Sequence, residues 1–289
     1  MRLAGLPNSL TAFPEITSRD LCCDWPAWQS FESPLEKCLM TKLPHLRILI
    51  DDEPQSGAWN MAVDEVLLES ALAPGIATLR LYRWCEPTAS LGYFQHEADF
   101  LAEPRFANLP AVRRLSGGGT LIHDRELTYS LALPASQRLI ERPMELYDLV
   151  HTAFIAVLER RGIAIRQRGS TVHRKTEPLL CFIREDEHDL VLLGHKVLGS
   201  AQRRRRGAIL QHGGLMLGAS PVTPELPGIG DLCPGLGLSG LKTDLASQVA
   251  STLSESSVSA RLSADELARV TRLIPETYTS LARSGWQSA

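Results

Sequence analysis

The segment RRLSGGGTLIHD, Arg113 to Asp124, sets three consecutive glycines, Gly117, Gly118 and Gly119, between two apolar runs. With no side chains along the loop, its backbone can approach a ligand closely and aim successive N–H groups at it. That suits a phosphate or a developing oxyanion. The same glycines would also make a plain hairpin turn. They form neither a P-loop nor a dinucleotide fingerprint, because no lysine or Ser/Thr follows at the required offset and no helix is expected after them. Cys181, in PLLCFIRED, reads either as a small buried hydrophobe among leucines and Phe182 or as a nucleophile. A thiolate suits acyl exchange with a thioester when a cation or a helix end lowers its pKa. Lys196, in DLVLLGHKVLGSAQ, follows a glycine turn between two apolar strands. It is a solvated surface lysine unless it faces a cleft, where its ammonium would hold a carbonyl or phosphate oxygen or favour the Cys181 thiolate. Arg203 to Arg206, followed by Gly207, put four cations at an expected hairpin tip, either a solvated turn or a docking patch for an acidic partner. His123, His188, His195 and His212 are candidate acid/base groups or hydrogen-bonded structure.

Several elements must position these residues. LRILI, from Leu46, reads as a buried strand, and Ser56 as the N-cap of a helix through WNMAVDEVLLESALA, where Met61, Ala62, Val66 and Leu67 recur at helical spacing. ATLRLYRW and ASLGYFQ are strand-like. AVRRLSGGGTLI through LTYSLALP reads as strand, glycine loop and strand. Leu146 to Arg161 forms an amphipathic helix closed by Gly162, and IAIRQR continues as a strand. Gly169 to Glu187 is a polar loop anchored by PLLCF. DLVLLGHKVLGSAQ and AILQHGGLML make a three-strand meander turning at Gly194 and at the arginine run. Helical patterns follow at Leu241 to Leu253 and Ala264 to Ala282. The expected fold class is α+β, a mixed sheet with helices packed on it. Residues 1–40 read as an extension, with Met40 a candidate start because patterned sequence begins just after it; residues 41–289 read as one domain, with C-terminal helices from about 240.

The 289 residues, 44% apolar, suffice for a sizeable buried core. The net charge of -3 provides no global basic field, so nucleic acid is not an expected partner. No apolar run is long enough for a membrane helix and the N-terminus lacks a signal-peptide pattern, so the expectation is a cytoplasmic protein without a membrane partner. Six scattered cysteines fit reduced thiols, and the absence of CxxC spacing argues against a zinc site; no metal is expected.

Four strings, WNMAVDEVLL, LRLYRWCEPTASLGYFQ, VRRLSGGGTLIHDRELTYSL and DLVLLGHKVLGSAQRRRRGAILQHGGLML, run in order over about Leu46 to Leu217. Together they resemble the lipoate and octanoate attachment family, whose fold is shared with the catalytic domain of biotin protein ligases. Within it the chain looks most like the octanoyltransferases typical of Gram-positive bacteria. Those enzymes carry a nucleophilic cysteine in a Cys-Phe loop fifteen residues before the lysine of a Gly-x-Lys-Val turn, the separation of Cys181 from Lys196. The resemblance implies a ping-pong reaction. Cys181 would take octanoate from the thioester of octanoyl-acyl carrier protein and pass it to a lysine of a lipoyl-domain protein such as glycine cleavage H protein. Lys196 would orient the acyl carbonyl or assist proton transfer. Arg114, Ser116, Gly117, Gly118, Gly119, His123, Gly199, Ser200 and Ala201 would bind the substrate. No cofactor is implied.

One departure concerns the loop after Cys181. The family usually has a Pro-Ser pair and an aromatic there, whereas IREDEH precedes Asp189 here. If Glu185, Asp186 and Glu187 face Cys181 they would raise its pKa; if they face solvent they would not. The alternative functions are an ATP-dependent lipoate-protein ligase, which alone would need ATP and Mg, an amidotransferase between lipoyl domains, and a non-catalytic binder of acylated carrier domains.

Overall fold

The computed structural model describes residues 42–136, 141–170, 178–205 and 207–278. The expected extension over residues 1–40 lies outside them, as do Arg206 and the end of the last expected helix. LRILI falls in β1 (Leu43–Ile50), and Ser56 caps α1 (Gly57–Leu72), its side chain accepting a hydrogen bond from Trp59 N. Next come β2 (Thr78–Tyr82), β3 (Thr88–Leu91), a short α2 (Glu97–Leu101), β4 (Ala111–Arg113), β5 (Leu121–His123) and β6 (Glu126–Pro134). The expected amphipathic helix is α3 (Glu145–Arg160), and Gly162 closes it with φ +81°. Of IAIRQR only Arg166–Gln167 pair as strand β7. The meander forms as expected from β8 (Leu190–Leu192), β9 (His195–Arg205) and β10 (Ala208–Met216), followed by α4 (Ile229–Leu232), α5 (Leu241–Leu253), β11 (Ser254–Ser259) and α6 (Ala264–Thr277).

Eight strands form one mixed sheet in the order β11-β1-β2-β6-β10-β9-β8-β7. Its β1 runs parallel to β11 and β2, and the remaining neighbours are antiparallel. Period-two alternation sends Leu127, Tyr129, Leu131 and Leu133 of β6 toward the α3 and α5 layer. Ala132 and, on β10, Ala208 and Leu210 face α1 and α6. Both faces are therefore covered, which is why the central strands are buried throughout and why α1 has few exposed positions. The expected mixed α+β architecture is the observed one. Among the described residues no helix is long and apolar enough to cross a membrane.

A second sheet, β4-β3-β5, sits beside the first. The strands flanking the glycine loop do not pair with each other, since β3 lies between them, parallel to β4 and antiparallel to β5. The glycines therefore span a crossing over β3 and are not the tip of a hairpin.

Candidate functional site

PLLCF is held at the end of the glycine loop by backbone. Thr120 N donates to Leu179 O (2.9 Å) and Cys181 N to Thr120 O (2.8 Å). Leu180 anchors the segment in the small cluster containing Leu91 and Phe100. Residues Cys181–Ile183 then make one 3-10 turn, which buries Phe182 and leaves Cys181 partly exposed. Gly118, at φ +96°, takes a conformation that disfavours any side chain; a Cβ there would lie 3.6 Å from Cys181 Sγ and 2.9 Å from Arg114 Nη2.

Arg114 holds the loop in shape. Its Nη2 donates to the carbonyls of Gly117 and Gly119 (both 2.7 Å) and its Nη1 to Ser90 O (2.7 Å), while its Nε is buried without a partner. Burial pushes the guanidinium down to about 10, partly offset by the negative charge Cys181 can carry.

The Lys196 side chain is nearly covered and spends its ammonium on three oxygens. Nζ lies 2.8 Å from Asp189 Oδ1 and donates to the carbonyls of Cys181 and Arg184 (3.3 Å each). An ammonium has three hydrogens, so this set is complete. Asp189 is braced in turn by the amide of Asp186 (2.8 Å), and burial pushes its carboxyl up despite the cation beside it. Lys196 thus ties β9 to the turn that carries Cys181.

A narrow, largely apolar cavity opens beside this turn, bordered by Met61, Tyr82, Arg114, Leu121, His123, Cys181, Phe182, Gly199, Ser200, Ala201 and His212 among others. Of the residues expected to bind substrate, Arg114, His123, Gly199, Ser200 and Ala201 reach this cavity directly. Ser116 joins through His212, and Gly117 to Gly119 form the adjacent loop.

Three polar groupings support its walls. Asp64 of α1, in the middle of an apolar run, accepts from Arg80 (3.2 Å), Ser130 (2.7 Å) and Tyr82 (3.0 Å) and contacts His212 Nδ1 at 3.4 Å. Burial alone would push its carboxyl up, but the His212 contact and the Arg80 charge outweigh that and hold it below the ordinary value. His212 Nε2 meets Ser116 Oγ at 2.5 Å. His123 bonds Glu126 through Nδ1 (2.7 Å) and Ser90 through Nε2 (2.6 Å), and stacks on Trp84 with centroids 3.8 Å apart. On the opposite sheet face, His151 of α3 bonds Ser200 Oγ through Nε2 and the His188 carbonyl through Nδ1; burial pushes its pKa down to about 4.

Other expected features separate from the site. His188 bonds Asp186, and His195 is exposed at the start of β9; neither borders the cavity. The arginine run is not a free hairpin tip: Arg203 to Arg205 belong to β9, Arg203 stacks on Tyr93 (4.5 Å) and Arg205 pairs with Glu65 (2.9 Å). In the acidic loop Glu185 pairs with Arg168 (3.2 Å), and the Asp186 and Glu187 side chains are more than 60% exposed. Among the described residues no group of three or more His, Cys, Asp or Glu is placed to hold a metal. Asp64, Glu126, His151 and Asp189 escaped the sequence reading. An acid among the apolar residues of α1 gave no signal that Asp64 is buried against Arg80.

Residues 56–223, more than half of the chain, match the model of the lipoyl protein ligase A/B catalytic domain. The chain belongs to this family. Among relatives, it is 38% identical over 176 residues to an octanoyltransferase LipM of Carboxydothermus hydrogenoformans and 36% over 184 residues to that of Bacillus subtilis. In each case 58% of this chain and 64% of the relative are covered, so the chain spans less than two thirds of these relatives. Its fold is similar to a crystal structure of lipoate-protein ligase A bound with ATP (TM-score 0.63, 20% identity, 80% of this chain and 95% of that one). It is also similar to a Thermoplasma acidophilum bi-partite lipoate protein ligase, described with its E2 lipoyl domain (TM-score 0.61, 17% identity, 81% and 92%). In the lipoyl ligase A/B fold seen here, the cavity lies where the sheet, the glycine loop and the cysteine turn converge.

Proposed function

We propose that this family member is an octanoyltransferase of lipoate biosynthesis, moving octanoate from octanoyl-acyl carrier protein to a lysine of a lipoyl-domain protein such as glycine cleavage H protein. The observation that carries the reading is Cys181, partly exposed at the edge of the cavity, against Gly118 and on the turn fixed by Lys196. The likeness to octanoyltransferases LipM supports the choice of acyl group, and the fold shared with a ligase described alongside its lipoyl domain supports the class of acceptor.

The Cys181 thiolate attacks the donor thioester, the carrier thiol departs, and the acyl chain lies in the cavity. An acceptor amine then attacks the Cys181 thioester and forms an amide. Arg114 keeps the glycine loop open beside the reacting carbonyl. Lys196 and Asp189 hold Cys181 in place and contribute a fixed cation nearby. No cofactor takes part in this scheme, and a reduced thiol suits a cytoplasmic setting. The test supplies octanoyl-acyl carrier protein and a lipoyl-domain protein without nucleotide and weighs the acceptor. A gain of one octanoyl group is expected. Modification that instead requires free acid with ATP and Mg would make the protein a ligase.

A further inference from the structure

The cavity beside Cys181 has a partly exposed end and a buried one. Cys181, Leu121 and Gly199 to Ala201 border the first. Met61, Tyr82, Thr128, Gly213 and Gly214 border the second, with Met61 only 3% and Tyr82 0% exposed. An acyl group on Cys181 that fills the cavity therefore points its far end at these buried residues. Most of them are fixed. Tyr82 donates to Asp64 (3.0 Å) and lies under the Arg80 guanidinium (4.0 Å). Thr128 donates to Glu126 (2.6 Å) and accepts from Trp84 Nε1 (2.8 Å). The glycines admit no side chain, since a Cβ on Gly213 would lie 2.3 Å from Ser200 Oγ and one on Gly214 3.0 Å from the Glu126 carboxylate. Asp64 follows Met61 by one turn of α1, so its bond to Tyr82 also holds the backbone that carries Met61. The Met61 side chain itself is held by packing, in the cluster that includes Leu67, Trp84 and Leu210. Unbranched and with three rotatable bonds, it can change rotamer where its hydrogen-bonded neighbours cannot.

We propose that Met61 sets the length of the acyl chain the enzyme accepts, by closing the buried end of the cavity with a side chain that yields only so far. This rests on the reading of Cys181 as the acylated residue. The cavity is narrow and lined mainly by carbon, which suits an unbranched saturated chain. A chain that is too short leaves a void beside Met61 and forfeits contacts. One that is too long, once Met61 has turned aside, must displace Tyr82 or Thr128 and strand buried hydrogen-bonding groups. Selection on both sides of a preferred length follows. Met61 touches the far end of the chain and takes no part in making or breaking bonds. Met61→Ala removes about three heavy atoms from the end of the cavity, room for two or three more chain carbons. Met61→Phe puts a stiff ring where the flexible thioether stood and shortens the cavity.

The test mixes the full chain, without ATP, with equal amounts of hexanoyl-, octanoyl-, decanoyl- and dodecanoyl-acyl carrier protein, and reads by intact mass which acyl group the protein gains first. Wild type should carry mainly octanoyl. In Met61→Ala the decanoyl and dodecanoyl adducts should rise about tenfold relative to octanoyl, and in Met61→Phe the hexanoyl adduct should rise about tenfold relative to octanoyl. The two variants push the preference in opposite directions, so either one that folds by thermal unfolding reads it. A wild-type ratio of chain lengths in both variants, or an equal loss at every length, would overturn the role of Met61 and leave the Cys181 reading standing. Absence of an adduct from all four donors on wild type would overturn the Cys181 reading and the assignment of Met61 with it.

Discussion

Asp189 Oδ1 sits 2.8 Å from Lys196 Nζ with both side chains nearly buried, and the same ammonium reaches the carbonyl of Cys181, fifteen residues earlier in the chain. A buried pair of this kind contributes little net stability, but removing one partner leaves the other stranded. Lys196→Ala should therefore cost about 3 kcal/mol in urea unfolding and reduce octanoyl transfer about 100-fold. Lys196→Met combined with Asp189→Leu should recover most of the stability and none of the transfer. Recovery of both would mean that the pair acts only as structure.

Gly118 and Gly117 are neighbours with opposite tolerance. Gly118→Ala meets Arg114 Nη2 at 2.9 Å in a left-handed conformation, while a Cβ on Gly117 meets nothing within 4 Å. The first substitution should lower stability by about 1–3 kcal/mol and slow acylation of Cys181; the second should leave thermal unfolding nearly unchanged. Equal melting temperatures for the two variants would contradict this account of the loop.

The sequence carried the sheet strands, α1, α3 and the meander because each has apolar residues at a definite period or is bounded by glycine. It could not reveal β11, whose SESSVS has no apolar alternation and is a strand only because β1 offers it an edge. Nor could it show that β3 separates β4 from β5, a relation between segments distant in the chain. Cys181, Lys196 and the glycines stood out through motif and spacing. Asp64 and Asp189 did not, because an acid next to apolar residues looks the same whether it faces solvent or a buried cation.

Arg47 and Glu266 link β1 to α6 through a two-toothed contact at 2.7 and 2.9 Å. Burial would push the Glu266 carboxyl up, but Arg47, the Ser263 amide and Ser70 hold it down at about 2 against an ordinary 4.5. The folded form thus holds a proton less readily than the unfolded one. The resulting stability is present above pH 4.5 and is lost as pH falls toward 2. Unfolding midpoints of wild type and Arg47→Met should differ at neutral pH and converge on acidification; a constant difference would contradict the linkage.

His151 should stay neutral down to about pH 4, because burial opposes its charge and the His188 carbonyl fixes its hydrogen on Nδ1. Stability from this residue is present above pH 6.5 and is lost as pH falls through about 4. Nitrogen NMR of the labelled ring should show one tautomer with no titration at pH 6 to 7. A midpoint near 6.5 would show that Ser200 and His151 are not locked together.

Octanoyl transfer by the proposed route requires Cys181 to become acylated. Intact-mass spectrometry of wild type and Cys181→Ser, each mixed with octanoyl-acyl carrier protein without ATP and then treated with neutral hydroxylamine, tests this directly. A hydroxylamine-labile octanoyl adduct on wild type alone is the predicted result. No adduct on wild type, with octanoyl transfer appearing only when ATP is supplied, would contradict it.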